Sequence, residues 1–148
     1  MLIQDVRHML NRDLLAMAEE LTAIPDEHLW RPLPGVINPV GTLSLHICGN
    51  LRHFIGALLG GDGYVRDREE EFHARNLPKE ELLRRIEETR SAVSAALETL
   101  PQHRLQDPMP APPPQHEGRS IAFFLVQLCC HTSRHQGQLN YLRRILAG

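Results

Sequence analysis

Cysteine is scarce in this chain: three residues in 148, Cys48, Cys129 and Cys130. An odd count with two of them adjacent is not a secreted disulfide framework. The thiols are read instead as reduced, buried, small apolar residues of a cytoplasmic protein. A long hydrophobic run is missing too. No stretch approaches the roughly 18–20 apolar residues of a membrane span, and the opening MLIQDVRHML carries charge where a signal peptide would be apolar. Basic blocks are absent and the formal net charge is −2, which disfavours nucleic acid and membrane as partners. Neither an alternating strand pattern nor an internal repeat is found. What remains, with 42% apolar and 23% charged residues, is an ordinary folded chain whose length suits a single domain over 1–148.

Four amphipathic segments can supply its core. Residues 2–24 place Leu2, Val6, Leu10, Leu14, Met17, Leu21 and Ile24 at three- and four-residue spacing, and Pro25 stops the pattern. A connection over 25–41 is rich in proline and glycine, with Trp30 and Leu33 as candidates to pack it down. Thr42 is the expected N-cap of a second helix over 43–59, which Gly60-Gly61-Asp62-Gly63 ends. Residues 64–72 are polar and charge-dense, and read as a solvated, self-paired run. Pro78 opens a third helix over 78–99. The proline-rich stretch 101–118 is irregular, and Ser120 or its neighbours start a fourth helix over 119–146. The expected fold is all-α, a four-helix bundle.

Histidine is the compositional anomaly, with nine in the chain. His131 and His135, four apart on a helix, share one face and can reach one divalent ion. The spacing alone is weak evidence. Both positions continue an apolar stripe, however, and an inward imidazole needs a hydrogen-bond partner or a metal. Those two readings stay open on spacing and burial. His46, on the inward stripe of the second helix, is the candidate third ligand. His53, seven residues on, lies roughly 10 Å along the axis, so one ion cannot use both; it is expected to be exposed. The remaining histidines are expected at the surface, with His116 placed in the proline-rich loop near a site mouth.

A three-histidine set leaves an open coordination position. It suits a divalent ion such as Zn, Ni or Fe, and Mn least naturally. Such an ion polarises an oxygen or lowers the pKa of a water or thiol. Asn50, Gln138 and Gln127 are spaced to orient an imidazole or a bound water. Arg66 or Arg68 is a candidate contact for an anionic substrate group. The cysteines point off the histidine face. No inward Asp or Glu is expected beside the histidines, so a general base is lacking, which favours thiol transfer over hydrolysis.

The segments GTLSLHICGNLRHFIGALLGG, RDREEEF and HTSRHQGQLNYLRRIL together resemble the DinB/YfiT-like superfamily of small bacterial metal-binding bundles. The resemblance covers nearly the whole chain, and the last-helix pattern HxxxHxGQ is its most specific part. It implies a four-helix bundle of up-down-down-up order. It implies a divalent ion held by three histidines, matched here by His46, His131 and His135. Members include thiol S-transferases that use low-molecular-weight thiols such as mycothiol or bacillithiol, and a maleylpyruvate isomerase. Homodimers are common among them.

Two functions of different class follow. One is a metal-dependent enzyme acting on a small-molecule substrate, with thiol S-transferase or hydrolase-like chemistry. The other is a non-catalytic metal or small-ligand binding protein, stress-related, which predicts a blocked coordination sphere and no pocket. A metal-free structural bundle is the third reading.

Overall fold

A computed structural model describes residues 1–147. Its long helices are α1 (Leu2–Ala23), α2 (Val40–Leu51), α4 (Lys79–Thr99) and α5 (Ile121–Ala147), with a short α3 (Arg68–His73) between the second and the fourth. The described residues hold no strand, only two isolated bridges. The fold is therefore the all-α bundle expected, with one helix more than the periodicity gave.

α1 packs against α4 and α5, and α2 packs against α4 and α5. The start of α4 sits at the end of α1, where Lys79 donates to the Ile24 carbonyl at 2.6 Å. Glu20, late in α1, accepts from Asn140 and Arg143, late in α5. These contacts run α4 against α1 and α5 along it. Phe54 stacks on Phe124 at 4.8 Å, while His46 meets His131 further along, so α2 runs against α5. The core draws on all four long helices, with Leu10, Leu14, Leu51, Ile55, Leu82, Ile86 and Leu125 fully enclosed.

One helix start differs from the sequence reading. Helix α2 begins at Val40 with Pro39 as its cap, and Thr42 is buried inside its first turn. Pro39 supplies a carbonyl for the Leu43 amide at 3.1 Å, so the helix starts before the residue whose side chain looked best suited to cap it. Helix α5 starts as expected, the Ser120 hydroxyl accepting from the Phe123 amide. The connection before α2 is packed down by Trp30, whose indole donates to the Leu77 carbonyl at 3.0 Å. Its ring lies where a Cβ at Gly41 would stand, 2.5 Å away, so only glycine lets the two approach. After Leu51 the helix widens into a π-helical segment, Arg52–Ala57. Among the described residues no helix is long and apolar enough to cross a membrane.

The residues 64–72, read as a solvated run, hold the largest departure. Asp67 caps α3 by accepting from the Glu70 amide at 2.9 Å. Within that short helix Glu71 turns inward and is 4% exposed.

Candidate metal centre

His46 is offered by α2, and His131 and His135 by adjacent turns of α5. Their Nε2 atoms converge: His131 Nε2 lies 3.2 Å from His46 Nε2 and 3.2 Å from His135 Nε2. Metal–nitrogen bonds of roughly 2.0–2.1 Å in tetrahedral geometry put two ligand nitrogens roughly 3.3–3.4 Å apart. These two spacings are close to that, and all three ligand nitrogens lie within 4.8 Å of one another. Among the described residues this trio is the group of His, Cys, Asp or Glu that could hold a metal ion.

The outer ring nitrogens settle the tautomers. His46 Nδ1 donates to Glu71 Oε1 at 3.2 Å, and His135 Nδ1 donates to Gln138 Oε1 at 2.7 Å. Each bond leaves a bare lone pair on the Nε2 that faces the cluster. Both lone pairs point at His131 Nε2, and one N–H there cannot serve both well. His131 Nδ1 is itself buried without a partner. His131 Nδ1 lacks a partner in either case, but a hydrogen-bonded trio leaves one converging lone pair unsatisfied, whereas a shared cation uses all three. The donor set fits a divalent ion. Burial, with His135 and His46 close by, pushes the His131 imidazole down to about 4. Burial also lowers His135. Both rings are thus held in the neutral form that ligation requires.

Glu71 is the residue the sequence reading missed. Burial would raise its carboxyl, but hydrogen bonds from Arg66 and His46 outweigh that and hold it below the usual carboxylate range. Arg66 grips it with two bonds, Nε to Oε2 at 2.7 Å and Nη2 to Oε1 at 2.8 Å. The carboxylate lies so close on α2 that a Cβ at Gly49 would stand 2.1 Å from Oε2. Gly49 thus makes room for the acid that orients His46. An inward acid does accompany the histidines, correcting the expectation of none. It faces the far side of the imidazole, away from the converging nitrogens.

The other candidates are placed as follows. Arg66 is tied to Glu71, whereas Arg68 is exposed and lies over the Phe72 ring at 5.1 Å. Phe72 in turn packs on His46 at 5.1 Å. Asn50 is buried, and its Oδ1 has no hydrogen-bond partner. Gln127 borders the pocket beside His131. His53 is half-buried against Phe54 rather than exposed, and stands outside the trio. Along α5 the buried stripe runs through Thr132; His131 and His135 sit on its flank and face the cleft instead of the core. Cys48 and Cys129 are buried, but Cys130 is exposed, contrary to expectation.

A pocket of about 420 Å³ opens onto His46 and His131, its walls including Arg66, Arg68, Asn50 and His116. His116 reaches it by stacking on Phe123 and Phe124. On the other flank His135 and Gln138 border a groove of about 660 Å³, walled by Val36, Ile37, Tyr141 and Ile145.

A family model described as the DinB superfamily matches residues 8–139. That span contains all three converging histidines, Glu71 and Asn50. No curated protein matches the chain.

Proposed function

Since the chain belongs to the DinB superfamily, we propose that it is a metal-dependent enzyme whose ion is held by His46, His131 and His135 and whose most favoured chemistry is thiol S-transfer. The observation that carries this is a three-nitrogen cluster beside an open pocket, with no fourth protein ligand among the described residues. A binding protein with a closed coordination sphere would have no such pocket. A divalent ion there would supply Lewis acidity, enough to bring a thiol or a water to its anionic form near neutral pH.

The chain's own residues do the rest. Glu71 fixes the His46 tautomer and raises its basicity, and Gln138 does the same for His135. Arg66 keeps Glu71 ionised. Phe54, Phe124 and Leu128 line the inner wall and limit water. No carboxylate lines the pocket. Glu71, behind the His46 ring, cannot take a proton from a substrate. The absence of a carboxylate base favours thiol transfer over hydrolysis, because a thiolate is already the nucleophile. In that reaction sulfur bonds to an electrophilic carbon as the leaving group departs with its electron pair, and the thiol proton goes to solvent.

The test has two stages. Elemental mass spectrometry of protein purified without a nickel column should find about one divalent ion per chain, lost in a His131→Ala/His135→Ala variant. Cobalt-loaded protein should then develop a near-ultraviolet sulfur-to-metal absorption on addition of 2-mercaptoethanol. One cobalt per chain with no such band would remove the thiol reading and leave metal binding alone.

A further inference from the structure

We propose that the pocket beside His46 and His131 selects a small organic anion, whose carboxylate pairs with Arg68 and whose hydroxyl or amine donates to Asn50. This rests on the preceding reading for the reaction, and deepens it by naming the class of substrate.

Charge comes first. The walls of the pocket carry two guanidinium groups and no carboxylate. Arg66 is neutralised by Glu71, which grips it with both oxygens. Arg68 makes no ion pair among the described residues, whereas Arg66, two residues before it, is paired with Glu71. Its guanidinium is held in place by stacking on Phe72. The contact with the ring uses none of its N–H groups, which leaves them for a planar, bidentate partner. Phe72 also packs on His46, so the free cation and the converging nitrogens are fixed relative to one another.

The second observation is independent of charge. Asn50 is 9% exposed and borders the same pocket one turn beyond His46, yet its Oδ1 has no partner. A buried amide oxygen left unpaired costs about 1–3 kcal/mol. The side chain lines the pocket, so a turn about its last bond would bring the oxygen to a ligand donor and remove that cost. The size is right for a small molecule, since binding pockets run from about 300 to 1,000 Å³ and this one is about 420 Å³. An acid for Arg68, a donor for Asn50 and a reacting group at the histidines describe a short hydroxy- or amino-acid skeleton.

Calorimetric titration of zinc-loaded protein with propionate and 3-hydroxypropionate tests this. Wild type should bind both, the hydroxy acid several-fold tighter. Arg68→Gln, an exposed change that leaves the fold intact, should weaken both by about tenfold. Asn50→Leu should bring the hydroxy acid down to propionate and leave propionate unchanged. Arg134→Gln, a cation bordering the groove on the other flank, should change neither. No heat from either acid overturns the proposal. So do equal affinities in wild type and Arg68→Gln, or an equal loss in Arg134→Gln. The thiol reading fails on a different result, the missing cobalt absorption with 2-mercaptoethanol, while the acids bind as described.

Discussion

Glu71 Oε1 stands 3.2 Å from His46 Nδ1, on the side of the imidazole that faces away from His131 and His135. The bond fixes which nitrogen carries the proton and aims the other at the cluster. Removing an outer partner of this kind costs about 10–100-fold in metal affinity. Glu71→Gln should therefore weaken zinc by about tenfold, since an amide can still accept from Nδ1 but loses the charge and mismatches Arg66. Gly49→Ala should give a similar loss without touching any polar group, because its Cβ would occupy the place of Oε2. Competition against a chromophoric chelator reads both. Wild-type affinity in Glu71→Gln would show that the carboxylate only packs.

Ligand identity is separable by substitution. His135→Ala should abolish stoichiometric zinc binding, and His53→Ala should leave it intact. The π-helical segment, Arg52–Ala57, carries His53 onto Phe54 and away from the three nitrogens. Metal content of the two purified variants decides the matter. Equal loss in both would move the α2 ligand from His46 to His53.

The sequence made the long helices and the histidine trio readable because both follow from period. Leu10, Leu14, Met17 and Leu21 mark one face of α1, and His131 and His135 share a face by spacing alone. Glu71 was hidden for the opposite reason. It sits in Arg66-Asp67-Arg68-Glu69-Glu70-Glu71, where every residue is charged and no period distinguishes the one that turns in. Two local signals did exist. Asp67 with Glu70 three residues on is the pattern of a capped helix start. Gly49, inside a helix, costs about 1 kcal/mol relative to alanine and so marks a close approach. Neither names its partner, because the contact joins residues 22 apart through a turn that only the fold defines. Thr42 misled for a related reason: its hydroxyl suits a cap, but the chain enters the helix at Pro39.

Acid should unfold the metal-free protein partly through His131. Its folded value of about 4 lies below the ordinary 6.5, so below that value the unfolded chain takes up a proton the folded one refuses. The stability is fully present above about 6.5 and is lost as pH falls through about 4. Urea midpoints of chelator-treated protein at neutral and mildly acidic pH should therefore separate more for wild type than for His131→Leu. Carboxylates such as Glu71 titrate in both proteins and cancel in the comparison. Parallel pH profiles would mean that His131 takes up its proton as readily folded as unfolded.

The thiols should matter to stability and not to the metal. Burial pushes Cys48 and Cys129 up to about 11, so neither is a thiolate at neutral pH, and neither belongs to the converging trio. A Cys48→Ser/Cys129→Ser/Cys130→Ser variant should keep one ion per chain. Its stability should fall by about 1–3 kcal/mol, the cost of placing hydroxyls in apolar surroundings. The single changes should rank by partner. Ser at 130 is exposed and should cost almost nothing. At 48 the new hydroxyl has the Thr89 hydroxyl beside it, whose oxygen can accept while its own O–H donates to the Arg85 carbonyl. At 129 burial alone dominates and no hydrogen-bond partner takes part, so Cys129→Ser should cost most. Chemical denaturation of the three single variants measures the order, and elemental analysis of the folded triple variant measures the ion. A folded triple variant without metal would put a thiolate among the ligands and displace one of the three histidines.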